Sequence, residues 1–315
     1  MRFIKIIYNI LLLSFLYGFI WNFKLLLLLL FQQTIKTITT MEKIKIYDAF
    51  EHSKTALRKQ LGITYLGGIK QSAKMQYSFN NGTLTYCLYL APANMADPDR
   101  TVCPVSATCR DYCLNGSGRN RGDIIGRGVY DSTINRSRIK KTLAFWNNRD
   151  VFMELMILEI LAAQLKAQEL GMDFSVRLNG TSDLNPEDFV YQGRNILEWF
   201  PTVQFYDYTK VPSRFYLIDK YKNYDLTFSF NGYNWNACNA FLNRGGKVAV
   251  VFDCELPSTF KGWVVEDANI TDTRYLNTPR TIQGLHYHRT ANDYKSGRYN
   301  RAKTPFIIDE EDLIW

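Results

Sequence analysis

Apolar and polar residues change their spacing several times along the chain, and each change marks an element. Phe174–Leu178, Thr202–Asp207, Asp225–Phe230 and Lys247–Phe252 are short runs rich in β-branched and aromatic residues, each bounded by turn formers, and they predict strands. Helix signals lie between them. Asn185-Pro186-Glu187-Asp188 offers a capping side chain followed by proline in the first turn, Ser213 opens a helix through Tyr221, and Asn236–Asn243 runs into Gly245-Gly246. Gly262–Val265 and Thr281–His286 are shorter strand candidates. Strand and helix thus alternate about every 25 residues, the spacing of βα units in a parallel sheet. Right-handed crossovers build such units into an open sheet or a barrel. The number of units here predicts an α/β fold with a full or partial TIM-like barrel.

The first half of the chain reads differently. An amphipathic helix is expected over Ile46–Leu61, followed by a turn at Gly67-Gly68. Asn81-Gly82, set between Tyr77-Ser78-Phe79 and Leu84–Leu90, predicts a hairpin. A loop with little periodicity runs from Ala91 to Gly128, and helices are expected over Tyr130–Trp146 and Val151–Leu170, the second closed by Gly171. The pattern divides the chain into an apolar segment 1–40, a helical segment 41–76, a barrel-like domain 77–300 and an acidic, exposed tail 301–315.

Within the first segment, Ile6–Phe31 is broken among polar residues only by Asn9, Ser14, Asn22 and Lys24. A helix needs about 20 apolar residues to cross a bilayer, so 6–31 is long enough to serve as a single anchor, and residues 1–31 are the chain's only route to a membrane partner. Met41-Glu42-Lys43-Ile44-Lys45 looks instead like the ordinary start of a soluble cytoplasmic protein, with the preceding stretch translated from too early a start. Both readings stand at this point.

Composition adds little about function. The 315 residues include 46% hydrophobic and 22% charged side chains, ordinary for a folded protein, so a large core is available without disulfide support. The formal charge of +8 includes Arg2, Lys5, Lys24 and Lys36, leaving a mildly basic body that neither demands nor excludes nucleic acid.

Cysteine placement is the most informative feature. Three of the six cysteines fall within Cys103-Pro104-Val105-Ser106-Ala107-Thr108-Cys109-Arg110-Asp111-Tyr112-Cys113. Three thiolates on one loop suit a metal centre or a [4Fe–4S] cluster with one coordination position left open for chemistry. Zinc is the alternative, with Cys87, His286 or His288 as fourth ligand, although the paired Cys-x-x-Cys pattern of structural zinc sites is missing. A third reading is that the thiols are simply buried or paired.

In parallel α/β proteins the loops after the carboxyl ends of strands form the site. Those loops carry Asn179, Gly180, Ser182 and Asp183, then Asp207 and Lys210, then Ser229 and Asn231, then Asp253 and Cys254. Asp183, Asp207 and Lys210 are the candidate catalytic groups, the carboxylates orienting hydroxyls and the lysine neutralising an anion. Asn179, Gly180, Ser182, Ser229 and Asn231 are candidates for holding a cofactor, although the same residue types serve turns and caps. The segment 116–141 mixes arginines and lysines with glycines, which would suit phosphate or nucleic acid, but it matches no P-loop or dinucleotide spacing.

Thr101-Val102-Cys103-Pro104 with Cys109 and Cys113, Val176-Arg177-Leu178-Asn179-Gly180-Thr181-Ser182-Asp183-Leu184 and Phe205-Tyr206-Asp207-Tyr208-Thr209-Lys210 together resemble an uncharacterised phage-borne family, the gene 88 proteins. The likeness covers roughly Tyr77–Gly284. That family in turn looks similar to radical S-adenosylmethionine barrels, which implies a [4Fe–4S] cluster on Cys103, Cys109 and Cys113 and S-adenosylmethionine as a further cofactor. The gaps of five and three residues between the cysteines differ from the Cys-x3-Cys-x2-Cys of those enzymes. The expected function is therefore iron–sulfur redox or radical chemistry on an unspecified substrate. The alternative is a nucleic-acid-binding or replication-associated phage protein with a structural metal.

Overall fold

The computed structural model describes residues 50, 52–70, 72–105, 108–109, 112–113, 115, 132–287 and 305–313. Helix α1 (Lys54–Leu61), the two-residue strand β1 (Gly67–Gly68) and helix α2 (Ala73–Asn80) lead into the first long strand, β2 (Thr83–Leu88). Ser53 and Ser72 start the two helices, each hydroxyl accepting from a first-turn amide. Asn81-Gly82 therefore ends α2, with Gly82 at φ 86°, and does not turn a hairpin. An Asn-Gly pair serves either role because both need a left-handed residue. The serine cap two turns upstream decides between them.

The chain continues through α3 (Thr133–Asn147), α4 (Arg149–Glu169), β3 (Asp173–Arg177), the hairpin β4 (Val190–Tyr191) and β5 (Arg194–Asn195), α5 (Ile196–Trp199) and β6 (Gln204–Thr209). Then come α6 (Leu217–Lys220), β7 (Tyr224–Ser229), α7 (Trp235–Asn243), β8 (Lys247–Phe252), β9 (Thr259–Phe260), β10 (Trp263–Asp267), β11 (Ile282–His286) and β12 (Ile307–Ile308). The helices expected after Asn185 and Ser213 shorten to 3-10 turns at Pro186–Asp188 and Pro212–Arg214, the latter followed by α6.

Ten strands form one sheet in the order β1-β2-β3-β6-β7-β8-β11-β10-β9, with β12 also on β8. Every neighbouring pair is parallel except β1–β2 and β10–β9 at the two ends. Strand order follows chain order from β1 to β8, as in a TIM-like barrel, yet the sheet is open, and among the described residues no ladder joins its two edges. Closure requires first and last strands with free, matching ladders at a common tilt and stagger. Here β1 is two residues long, and the amides of Leu66 and Gly67 donate to the Glu159 carboxylate on α4 at 3.2 and 3.0 Å. The opposite edge stops at the two-residue antiparallel strand β9. Local pattern gives the βα repeat but not the fate of the edges, which is why a barrel was the wrong extrapolation.

The tail assigned to solvent also enters the sheet. β7 pairs with β8 only as far as Ala249, and β12 then takes up Val251 and Phe252 on the side that β7 leaves. β12 thus forms a wedge at the carboxyl edge.

Register separates the sheet into two chemically different faces. Leu84, Val176, Phe205, Phe228 and Val248 share one face. On that side the Tyr86 hydroxyl donates to Glu159 of α4 at 2.9 Å, and Phe228 meets Phe215 and Phe241 edge-on at 4.8 and 6.1 Å between centroids. The other face carries Thr85, Ser175, Arg177, Tyr206, Asp225, Thr227 and Lys247 and lies under the segment 271–275. The predicted anchor at 6–31 lies outside the described residues; among those described, no helix is long and apolar enough to cross a membrane.

Candidate functional site at the carboxyl edge

The loop after β3 is tied down by its own polar side chains. Asn179 accepts from the Ser182 hydroxyl (2.8 Å) and the Leu184 amide (2.9 Å), and its Nδ2 donates to the Leu184 carbonyl at 3.1 Å. Asp207, in the middle of β6, accepts from the Asn179 amide at 2.7 Å and from its Nδ2 at 3.1 Å. Burial pushes the Asp207 carboxyl up to about 7, against those two hydrogen bonds and the more distant Arg177. Asp183 bridges to the loop after β6, accepting from the Thr209 hydroxyl (2.8 Å), the Lys210 amide (2.9 Å) and the Arg214 guanidinium. Gly180 donates its amide to the Leu88 carbonyl at 2.9 Å, and a Cβ there would sit 2.7 Å from the Tyr89 ring. These residues are brought together, and the hydrogen bonds of Asn179, Asp183 and Asp207 hold two strand-end loops against each other.

The other candidates are spread along the same edge. Lys210 places its ammonium 5.6 Å from the Phe306 ring. Ser229 is buried at the end of β7, where its carbonyl accepts from Asn234 at 3.0 Å. Asn231 accepts the amides of Tyr233 and Asn234, a turn that leads into α7.

The cysteine loop docks onto this edge. The Val102 carbonyl accepts from the Asp183 amide at 2.8 Å, the Cys103 sulfur accepts from the Ala93 amide at 3.3 Å, and its S–H reaches the Thr181 carbonyl at 3.9 Å. Further along, Tyr112 meets Tyr287, just past β11, with centroids 6.1 Å apart. Burial pushes the Cys103 thiol up to about 12, and Cys113, Asp183 and Cys109 add to the effect. Burial also raises Cys113, offset by the Asn115 amide and then by Lys210 and Arg138, with Cys109 acting in the raising direction. The Cys103 sulfur is thus held between the loops after β2 and β3. Among the described residues, however, no group of three or more His, Cys, Asp or Glu side chains is arranged to hold a metal ion.

The suggested fourth zinc ligands stand elsewhere. Cys87 is fully buried within β2, and burial pushes its thiol up to about 12. His286 ends β11 with its side chain exposed, and His288 lies outside the described residues, as does 116–131 of the basic segment. Sequence reasoning missed Arg214, and it read Thr209 only as part of a polar strand-end loop and Arg138 only as part of the basic segment 116–141. The Asp183–Arg214 pair spans 31 positions, and nothing in a linear pattern announces a contact of that separation.

A mostly parallel α/β sheet with its strand-end loops converging on one edge defines the class of this protein. Within that class, the family of gene product 88 matches residues 56–304, and the chain belongs to this phage protein family. No curated protein and no solved structure matches the chain. The expected likeness to radical S-adenosylmethionine barrels gains no support from these comparisons.

Proposed function

We propose that the protein carries a thiol-ligated metal centre, a [4Fe–4S] cluster in the first instance, on Cys103, Cys109 and Cys113 and uses it for redox chemistry at the carboxyl edge. One observation carries this reading: the loop that bears the three cysteines docks on the carboxyl edge, Val102 accepting from the Asp183 amide at 2.8 Å and Cys103 from the Ala93 amide at 3.3 Å, where α/β folds assemble their sites. Soft sulfur donors favour iron–sulfur clusters or zinc over hard cations. Three protein thiolates leave one position open, and the bound centre would supply electron transfer or Lewis acidity there. Because the sulfurs are not gathered in the described geometry, loading would draw Cys109 and Cys113 towards Cys103, which Ala93 and Thr181 already anchor.

The chain's own residues would prepare that edge. Lys210 and Arg138 would offset the negative charge of deprotonated sulfur, and Lys210 would also attract an anionic substrate. Asp183 and Asp207 act as positioning residues through the loops they clamp. Asn179 and Ser182 use their side-chain oxygens within the loop after β3, and Asn231 uses its own within the turn after β7.

Anaerobic reconstitution of the full chain with ferrous iron and sulfide tests the reading. The expected result is visible charge-transfer absorption with stoichiometric iron and sulfide, lost in C103S, C109S and C113S individually. A colourless, iron-free protein would overturn it, and tight zinc uptake by the same three cysteines without iron uptake would overturn the cluster.

A further inference from the structure

The polar face of the sheet contains groups that the fold leaves unused. Arg177 Nε, Tyr206 OH, Asp225 Oδ1, Thr227 Oγ1 and Arg274 Nε are all buried without a hydrogen-bond partner. They are linked: Tyr206 pairs across strands with Asp225, Thr227 is the next residue of β7 on that face, the Arg177 guanidinium lies 4.8 Å from the ring of Tyr208, which pairs with Thr227, and Arg177 and Arg274 both act on Asp272. Buried polar groups in folded proteins are ordinarily satisfied, so five orphans in one place need an explanation.

Charge makes the same point. Arg177 pairs with Asp272, and Lys247 pairs with Asp225 at 2.7 Å. Arg274 is 1% exposed, and its hydrogen bonds go to Gln283 Oε1 and to the carbonyl and hydroxyl of Thr271, all neutral acceptors. A buried cation that no carboxylate pairs with is costly. Burial brings Lys74, at the rim, down to about 8; Asp272 opposes this, while Arg274 and Arg177 lower it further. Arg177, Lys74 and Arg274 thus all act on one buried carboxylate, Asp272, with Asp267 the further acid beside Lys74.

We infer that this face, between the sheet and the segment 271–275, is a binding site for a small oxyanion that also carries a hydroxyl. The two guanidinium Nε–H groups and the Tyr206 and Thr227 hydroxyls donate to the anionic oxygens. Asp225 Oδ1 would repel a bare anion and so selects a ligand whose O–H can donate to it. A hydrogen phosphate and a hydroxycarboxylate both have this chemistry. The site shares no residue with the cysteine edge, so it stands whether or not a metal centre is found there.

Titration calorimetry of the full chain with inorganic phosphate, sulfate, lactate and propionate distinguishes the cases. Phosphate or lactate is expected to bind saturably, with sulfate and propionate, which lack the hydroxyl donor, weaker. Y206F and T227V remove only orphaned hydroxyls and so keep the fold, and each should weaken binding about tenfold, as loss of a hydrogen bond to a charged ligand does. Absence of saturable heat with all four probes would overturn the site and assign the orphaned groups to buried water. Equal affinity in both variants would overturn the location, and equal affinity for sulfate and phosphate would overturn the hydroxyl requirement.

Discussion

Removing the Asp183 carboxylate should destabilise the protein far more than a surface substitution would. The side chains of Asp183 and Arg214 are 13% and 11% exposed, so their ion pair is nearly dry. D183A leaves the Arg214 charge in that poorly hydrated position, and one-sided loss of a buried pair costs about 3–5 kcal/mol. It also orphans the Thr209 hydroxyl and the Lys210 amide, worth about 1 kcal/mol each and not fully additive with the first cost. D183N keeps an acceptor oxygen for those donors and should cost less than D183A. R214M removes the charge that D183A would strand, so the double variant D183A/R214M should lose less than the two single losses combined, with a coupling of about 2 kcal/mol or more. Urea denaturation of the full chain followed by circular dichroism reads these differences as shifts in midpoint at constant slope. If D183A stays within about 0.5 kcal/mol of wild type, the range of an ordinary surface change, the clamp does not exist. Strict additivity in the double variant would refute it equally.

Three further outcomes follow from other contacts. G180A forces a methyl group to within 2.7 Å of the Tyr89 ring and 2.8 Å of the Leu88 carbonyl, and such overpacking should cost about 1–3 kcal/mol in the same denaturation assay. Asp207 has its carboxyl raised from 3.8 to about 7, so within that window the folded protein holds a proton that the unfolded chain releases. Its contribution to stability is therefore full below 3.8, declines as pH rises and is gone above about 7; urea midpoints of wild type minus D207N across that range should fall with pH, and a rising difference would contradict the burial argument. Cys103 and Cys113 are held as neutral thiols, so metal uptake should release protons and tighten with rising pH, measurable by pH-stat during zinc or iron titration.

The strands of the second half were legible because their signal is local. Lys247–Phe252 matches its predicted bounds, and the runs around Phe174, Phe205 and Leu226 lie within two residues of theirs. Asn81-Gly82 misled because its chemistry fits two structures, and the cap that chooses between them sits at Ser72. Barrel closure was not legible, since it depends on edge geometry at Gly67–Gly68 and Thr259–Phe260. At the site, the polar residues after each strand were identifiable, but their partners were not. That Asp183 meets Arg214, and Asp207 meets Asn179, depends on which loops the crossovers bring together. Ile307-Ile308 was overlooked for a related reason, being two apolar residues beside an acidic run that acquire meaning only against β8.

The chemical contrast between the two sides of the sheet also polices its assembly. Pairing any one of the central strands a single residue out of step would thrust Arg177 or Asp225 among phenylalanines and turn Val176 or Leu226 towards guanidinium groups. Misaligned intermediates of this kind would be too unfavourable to accumulate, so the alternation that lines the interior with polar groups also acts as a built-in proofreader during folding.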